Sequence, residues 1–205
     1  GQHISLYLER CHWETRVWLD GRLIGTNNAL ATSHIYDLGR VSPGRHVLSI
    51  RVDNRMVVDV GENSHSVSDH TQGNWNGIVG RIELTATPLV WVDALVAYPQ
   101  VSARSVKVKG QIGNLTGKEG QGNLILSARL PRSAAREAIS RTLSVHWQTN
   151  GGAFEAELAL GPDARLWDEF NPALYELSAE LVSGDGQSHR LGTQFGLREI
   201  GTHGT

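Results

Sequence analysis

Apolar and polar residues alternate along most of the chain, and short turn dipeptides interrupt the alternation at regular intervals. Thr15-Arg16-Val17-Trp18-Leu19 runs into Asp20-Gly21 and resumes as Arg22-Leu23-Ile24. An Asp-Gly pair between two such runs predicts a hairpin, because it tolerates the positive φ angles of a tight turn. Pro43-Gly44 then opens a predicted strand with His46, Leu48, Ile50 and Val52 on one face and Val47, Ser49 and Arg51 on the other. On that apolar face His46 is expected to be a satisfied core residue. A further strand is predicted over Ile82–Ala86, ending at Pro88.

Between these strands, from about Asp53 to Gly80, lies an irregular stretch rich in Asn, Ser, Gly, His and Asp, with Trp75 set in it. Loops of this length inside compact domains are uncommon and often functional. After Pro88 the alternation resumes. Seven strands are predicted: Val90–Tyr98, Ser105–Ile112, Asn123–Leu130, Arg141–Trp147, Ala153–Leu160, Leu174–Val182 and His189–Leu197. That number of short strands, with turns at Asn150-Gly151 and Asp185-Gly186, fits an immunoglobulin-like sandwich. Ser133–Ser140 is the one passable helical stretch. The reading is all-β: a partial, galactose-binding-like jelly-roll sandwich over residues 1–88, an immunoglobulin-like β-sandwich over 89–200, and the start of a linker over 201–205.

Composition narrows the function. At 205 residues and 40% apolar content the chain can bury two cores. A net charge of −2 gives no general pull toward nucleic acid or anionic lipid, so neither is expected as a partner. No stretch has the run of apolar residues that a membrane span needs, and the start does not read as a signal peptide. The single cysteine, Cys11, excludes an internal disulfide and a Cys-based zinc site, and is expected to be a buried small hydrophobe. No cofactor or metal is expected. His65, Ser66, Asp69 and His70 lack the nucleophile turn of a hydrolytic triad and have no fixed metal-ligand spacing. Glu155 and Glu157, about 7 Å apart on one strand face, read as a solvated face, and Asp168-Glu169 as a turn.

Several segments, in this order and at this spacing, resemble glycoside hydrolase family 2. They are Glu9 to Gly25, with its turn at Asp20-Gly21; His34-Ile35-Tyr36-Asp37-Leu38 followed by Pro43 to Asn54; and Asn74-Trp75-Asn76-Gly77-Ile78-Val79-Gly80-Arg81-Ile82-Glu83-Leu84. The second half adds Leu166-Trp167-Asp168-Glu169-Phe170-Asn171-Pro172-Ala173-Leu174-Tyr175 and Phe195-Gly196-Leu197-Arg198-Glu199-Ile200. The resemblance implies a parent that hydrolyses O-glycosidic bonds with retention, β-galactosidase-like or β-glucuronidase-like. This chain would be its non-catalytic front region. The family places the chain's first strand well inside the jelly roll, so earlier strands are expected to be missing. Both catalytic glutamates belong to the family's (β/α)₈ barrel, so this chain is expected to hold no catalytic residue. The implied partners are a carbohydrate substrate and the catalytic barrel of the same polypeptide, with room for a homo-oligomeric parent.

Within that picture the candidate substrate-binding residues are Asp69, His70, Asn74 and Trp75. A carboxylate and amides read sugar hydroxyls, and an indole stacks on the apolar face of a pyranose. The competing role for Trp75 is packing inside the protein. Trp167, Pro172 and Tyr175 are expected to anchor a loop-to-strand corner, with the tyrosine hydroxyl on a backbone partner. Two rival functions are a stand-alone carbohydrate-binding module, which would need an exposed aromatic platform from Trp13, Trp18 or Trp75, and a two-sandwich interaction protein.

Overall fold

A computed structural model of the chain describes residues 1–56, 59, 61–65, 67, 70, 73, 75–131 and 138–201. Every regular element among them is a strand: β1 Gln2–His12, β2 Glu14–Leu19, β3 Arg22–Asn27, β4 His34–Val41, β5 Leu48–Asp53, β6 Gly77–Thr87, β7 Val90–Gln100, β8 Ser105–Asn114, β9 Gly120–Arg129, β10 Ile139–Trp147, β11 Gly152–Ala159, β12 Leu174–Ser183 and β13 Ser188–Gly196. The chain divides into two compact units, Gly1–Thr87 and Pro88–Thr205. The fold is all-β, a jelly-roll-type sandwich followed by an immunoglobulin-like one. The predicted helical stretch lies largely outside the described residues, and its last two residues, Ile139 and Ser140, open β10.

In the first unit two antiparallel three-stranded sheets, β4-β1-β6 and β3-β2-β5, face each other. The predicted hairpin forms between β2 and β3, with Asp20 at φ 51° and Gly21 at φ 80° in its turn. Alternation sets the core: Leu6, Leu8, Cys11, Val17, Tyr36 and Leu38 point inward and are buried. Cys11 is the small core residue expected, and burial pushes its thiol up to about 11. Behind this apolar layer runs a buried polar chain. The Thr15 hydroxyl lies 2.6 Å from His34 Nδ1 and 2.5 Å from the Tyr36 hydroxyl, and His34 Nε2 donates to the Ala29 carbonyl at 2.7 Å. That last bond fixes the tautomer with the proton on Nε2, so Nδ1 accepts from Thr15.

His46 departs from its expected place. It precedes β5, on the exposed segment after Pro43-Gly44, and its ring bonds Asp20 Oδ2 at 2.7 Å and the Ser42 carbonyl at 2.9 Å. The turn runs longer than the alternation suggests, so the register of apolar positions starts at Leu48. The bond to Asp20 raises the folded pKa of His46 above its ordinary 6.5, and the same bond, with the Val47 amide, lowers that of Asp20 below 3.8. The His46 contribution is therefore complete below pH 6.5 and is lost as pH rises through the raised value. The Asp20 contribution is complete above 3.8 and is lost as pH falls through the lowered one. An NMR titration of the chain is expected to place the His46 midpoint above 6.5 and to bring it down in Asp20→Asn. An unmoved midpoint in that variant would refute the pairing.

The second unit packs a four-stranded sheet, β10-β9-β12-β13, on a three-stranded one, β11-β8-β7, and all seven predicted strands are present. Its core draws on both inner faces, with Leu124, Leu126, Leu177 and Leu181 from one sheet and Val92, Val106, Val108 and Leu158 from the other. Three aromatic rings lie over glycines directly across a strand pair: Trp91 over Gly113, Phe154 over Gly110, and Trp147 over Gly120. A Cβ on any of these glycines would sit within 2.2–2.7 Å of the ring. The predicted corner forms as expected. Trp167 bridges to Pro172, the Arg165 amide donates to the Tyr175 hydroxyl at 2.7 Å, and the Arg198 guanidinium stacks on the Trp167 ring. Asp168 Oδ1 accepts from the Phe170 and Asn171 amides, the turn the sequence suggests.

Candidate functional site

The end of the first unit where β1 stops and β6 starts brings Trp75, from the end of the long loop, against the last residue of β1. His12, the last residue of β1, pairs with Gly77, the first of β6. Trp75, two residues before Gly77, places its indole edge-to-face with the His12 imidazole, with ring centroids 5.1 Å apart. His12 is buried, and among the described residues neither ring nitrogen has a hydrogen-bond partner. Trp75 stays 37% exposed, with one side packed and the rest of its surface open. Trp13, next to His12, is buried and donates its indole N–H to the Asn28 carbonyl at 2.7 Å.

Polar groups flank this aromatic pair. Asn54 Nδ2 donates to Asn76 Oδ1 at 2.6 Å, tying the segment after β5 to the segment before β6. Asp53 is held by Arg51 at 2.5 Å and by Arg55 at 2.6 and 2.9 Å. The Arg55 hydrogen bonds, then the Arg51 one, hold its carboxyl well below the usual carboxylate range. With two guanidiniums on it, Asp53 is a structural clasp and has little capacity left for a ligand hydroxyl. The indole beside an amide pair suits a polyhydroxylated ring.

Of the four residues nominated by sequence, Trp75 is at the centre of this cluster and His70 is exposed. Asp69 and Asn74 lie outside the described residues, as does Ser66. The sequence reading passed over His12 and Asn54. A histidine between Cys11 and Trp13 at the end of a predicted strand was the available signal for the first, and nothing local marked the second. The other flagged groups resolve as structural. Glu155 pairs with Lys107 at 2.6 Å and Lys109 at 3.1 Å, while Glu157 accepts from the Ser105 hydroxyl. Among the described residues no group of three or more His, Cys, Asp or Glu is arranged to hold a metal ion, and no helix is long and apolar enough to cross a membrane.

Comparison with known proteins adds a family. The profile described as glycosyl hydrolases family 2 matches residues 90–198, more than half of the chain. The β-galactosidase large subunit of Leuconostoc lactis is 24% identical over 202 residues, which are 98% of this chain and 30% of that protein. Among solved structures, a β-galacturonidase of the same family from Eisenbergiella tayi, bound to galacturonate, superposes with a TM-score of 0.77 at 20% identity. It covers 99% of this chain and 35% of its own. Bacteroides uniformis β-glucuronidase 2 gives a TM-score of 0.71 at 16% identity over 95% of this chain and 24% of its own. The structural matches establish a shared fold, and the chain spans about a third of the length of the relatives it matches.

Proposed function

The chain belongs to glycosyl hydrolase family 2, and on that footing we propose that it is the non-catalytic front region of an enzyme that hydrolyses O-glycosidic bonds, of β-galactosidase or β-glucuronidase type. In this reading residues 1–88 are a sugar-binding jelly roll short of its first strands. Residues 89–200 are an immunoglobulin-like spacer, and 201–205 begin the linker to a catalytic barrel in the same polypeptide. The observation that carries the reading is the fit of nearly the whole chain to about a third of its relatives. The fitted part is built of strands alone among the described residues. Retention requires an acid/base and a nucleophilic carboxyl about 5 Å apart, and the reading assigns both to the barrel.

The site of the first unit then contributes one wall of the substrate pocket. Trp75 offers an indole face for a pyranose, Asp69 and Asn74 supply a carboxylate and an amide for its hydroxyls, and His70 adds a ring nitrogen. The packing of Trp75 against His12 supports this, because a ring held on one side costs little entropy when a sugar stacks on the other.

The test is to assay an intact parent, extended at both ends, on aryl β-galactoside, β-glucuronide and β-mannoside, beside the 205-residue chain. Cleavage of one substrate by the parent alone is expected. Trp75→Ala in the parent should raise KM roughly tenfold, the scale of one lost stacking contact, with a smaller change in kcat. Cleavage by the short chain, or by neither protein, would sink the reading.

A further inference from the structure

The strand registers of the first unit bring the β3–β4 loop, residues 28–33, to the same end of the sandwich as Trp75. In one sheet β1 ends at His12 beside Gly77, the start of β6, and His34, the start of β4, pairs with Leu8 of the same strand. In the other sheet β2 starts at Glu14 beside Asp53, the end of β5, and Thr15 pairs with Asn27, the end of β3. Loops clustered at one end of a sandwich are where such folds commonly bind. The loop is exposed at Asn28, Ala31 and Thr32, yet it is pinned from beneath. Trp13 Nε1 donates to the Asn28 carbonyl and His34 Nε2 to the Ala29 carbonyl, each at 2.7 Å. The Ala29 amide donates to Asn27 Oδ1 and the Ser33 hydroxyl to the Tyr7 hydroxyl, each at 2.9 Å. Apolar rings would fill the Trp13 and His34 positions without needing partners, whereas these rings reach consecutive peptide units of a surface loop.

The same Trp13 ring lies on the His12 imidazole, with centroids 6.0 Å and planes 29° apart, and His12 in turn meets Trp75. One run of rings therefore sets the Asn28 backbone and the Trp75 indole relative to each other. Asn28 gives its carbonyl to Trp13, and its exposed side-chain amide makes no hydrogen bond among the described residues. Resting on the reading of this unit as one wall of a sugar pocket, we propose that the β3–β4 loop is a second binding element of that wall. The Asn28 amide reads a hydroxyl of the sugar that stacks on Trp75, and Trp13 is the positioning residue for both. A carboxamide both donates and accepts, which matches a hydroxyl. A backbone already pinned in place keeps the amide in range with little ordering left to do on binding.

Kinetics of the intact parent on the aryl glycoside it cleaves test this. Asn28→Ala is expected to raise KM roughly fivefold, the scale of one hydrogen bond, with little change in kcat. At an exposed position it should leave the thermal midpoint where it was. One monodeoxy form of the substrate should lose about the same factor with the unaltered parent and nothing further with Asn28→Ala. Trp13→Phe keeps a ring on His12 and removes the N–H. It should raise KM too, and no further when added to Asn28→Ala, a non-additivity that a ring needed only for folding would not give. If Trp75→Ala raises KM and Asn28→Ala does not, the proposal is overturned and the sugar-binding reading stands. A KM indifferent to both, or a parent that cleaves none of the three substrates, removes that reading and the proposal together.

Discussion

Trp147→Ala is expected to lower the stability of the second unit by about 3–5 kcal/mol, the range for emptying a buried aromatic site. Trp147 ends β10 with 5% of its surface exposed, and its indole covers Gly120, its register partner on β9. Shortening the ring to a methyl leaves a void between two backbones. Gly120 has no side chain to move into it, and neighbouring core residues such as Val145 are held by their own strands. Relaxation can recover little, which puts the cost toward the upper part of the range. Urea unfolding followed by far-ultraviolet circular dichroism checks this. A loss below about 1 kcal/mol would mean that the site collapses and that the ring is not what holds the sheets there.

His34→Leu is expected to destabilise the first unit by about 2–3 kcal/mol, through polar groups left behind and not through lost volume. Leucine has a size close to that of imidazole, but it strands the Ala29 carbonyl and removes the acceptor of the Thr15 hydroxyl. The Thr15 hydroxyl is fully inside the unit, since Thr15 and His34 have no exposed surface, and Ala29 is half-buried. Adding Thr15→Val removes one of the stranded groups. The double variant is therefore expected to lose less than the two single losses added together. Additive losses in urea titrations would show that the chain of bonds from Ala29 to Tyr36 does not act as a unit.

These cases show where the sequence was legible. Every strand of the second unit could be read from alternation, because both of its sheets are covered on one face and the inward-facing apolar positions are buried in turn. Asp20-Gly21 gave its hairpin from two residues, because the turn geometry demands those types. Alternation failed where the outcome depended on a distant partner. It gave the strand over Ile82–Ala86, yet Ile82 and Leu84 on it are exposed, and nothing local reports whether a strand face is covered. His46 was placed in the core for the same reason, whereas Asp20, 26 residues away, holds it at the surface. The Thr15–His34–Tyr36 chain joins residues up to 21 apart and has no local mark.

The candidate site was legible to about the same depth. Trp75 stood out as an isolated aromatic in a polar stretch, and the structure gives it a reason to be there. His12 did not stand out, because its role is set by the ring that lands on it from 63 residues further on.

The rings laid over Gly110, Gly113 and Gly120 have a consequence for how this unit can change over generations. At each pair one residue has given up all of its volume to the other, so neither can be exchanged alone. A methyl group on Gly113 meets Trp91, and a smaller residue at 91 leaves a hole above Gly113. Such positions can drift only as compensating pairs, through a brief loss of stability in between. Among relatives of this unit the two members of each pair should therefore be inherited together, with the small partner changing sides more readily than both growing or both shrinking.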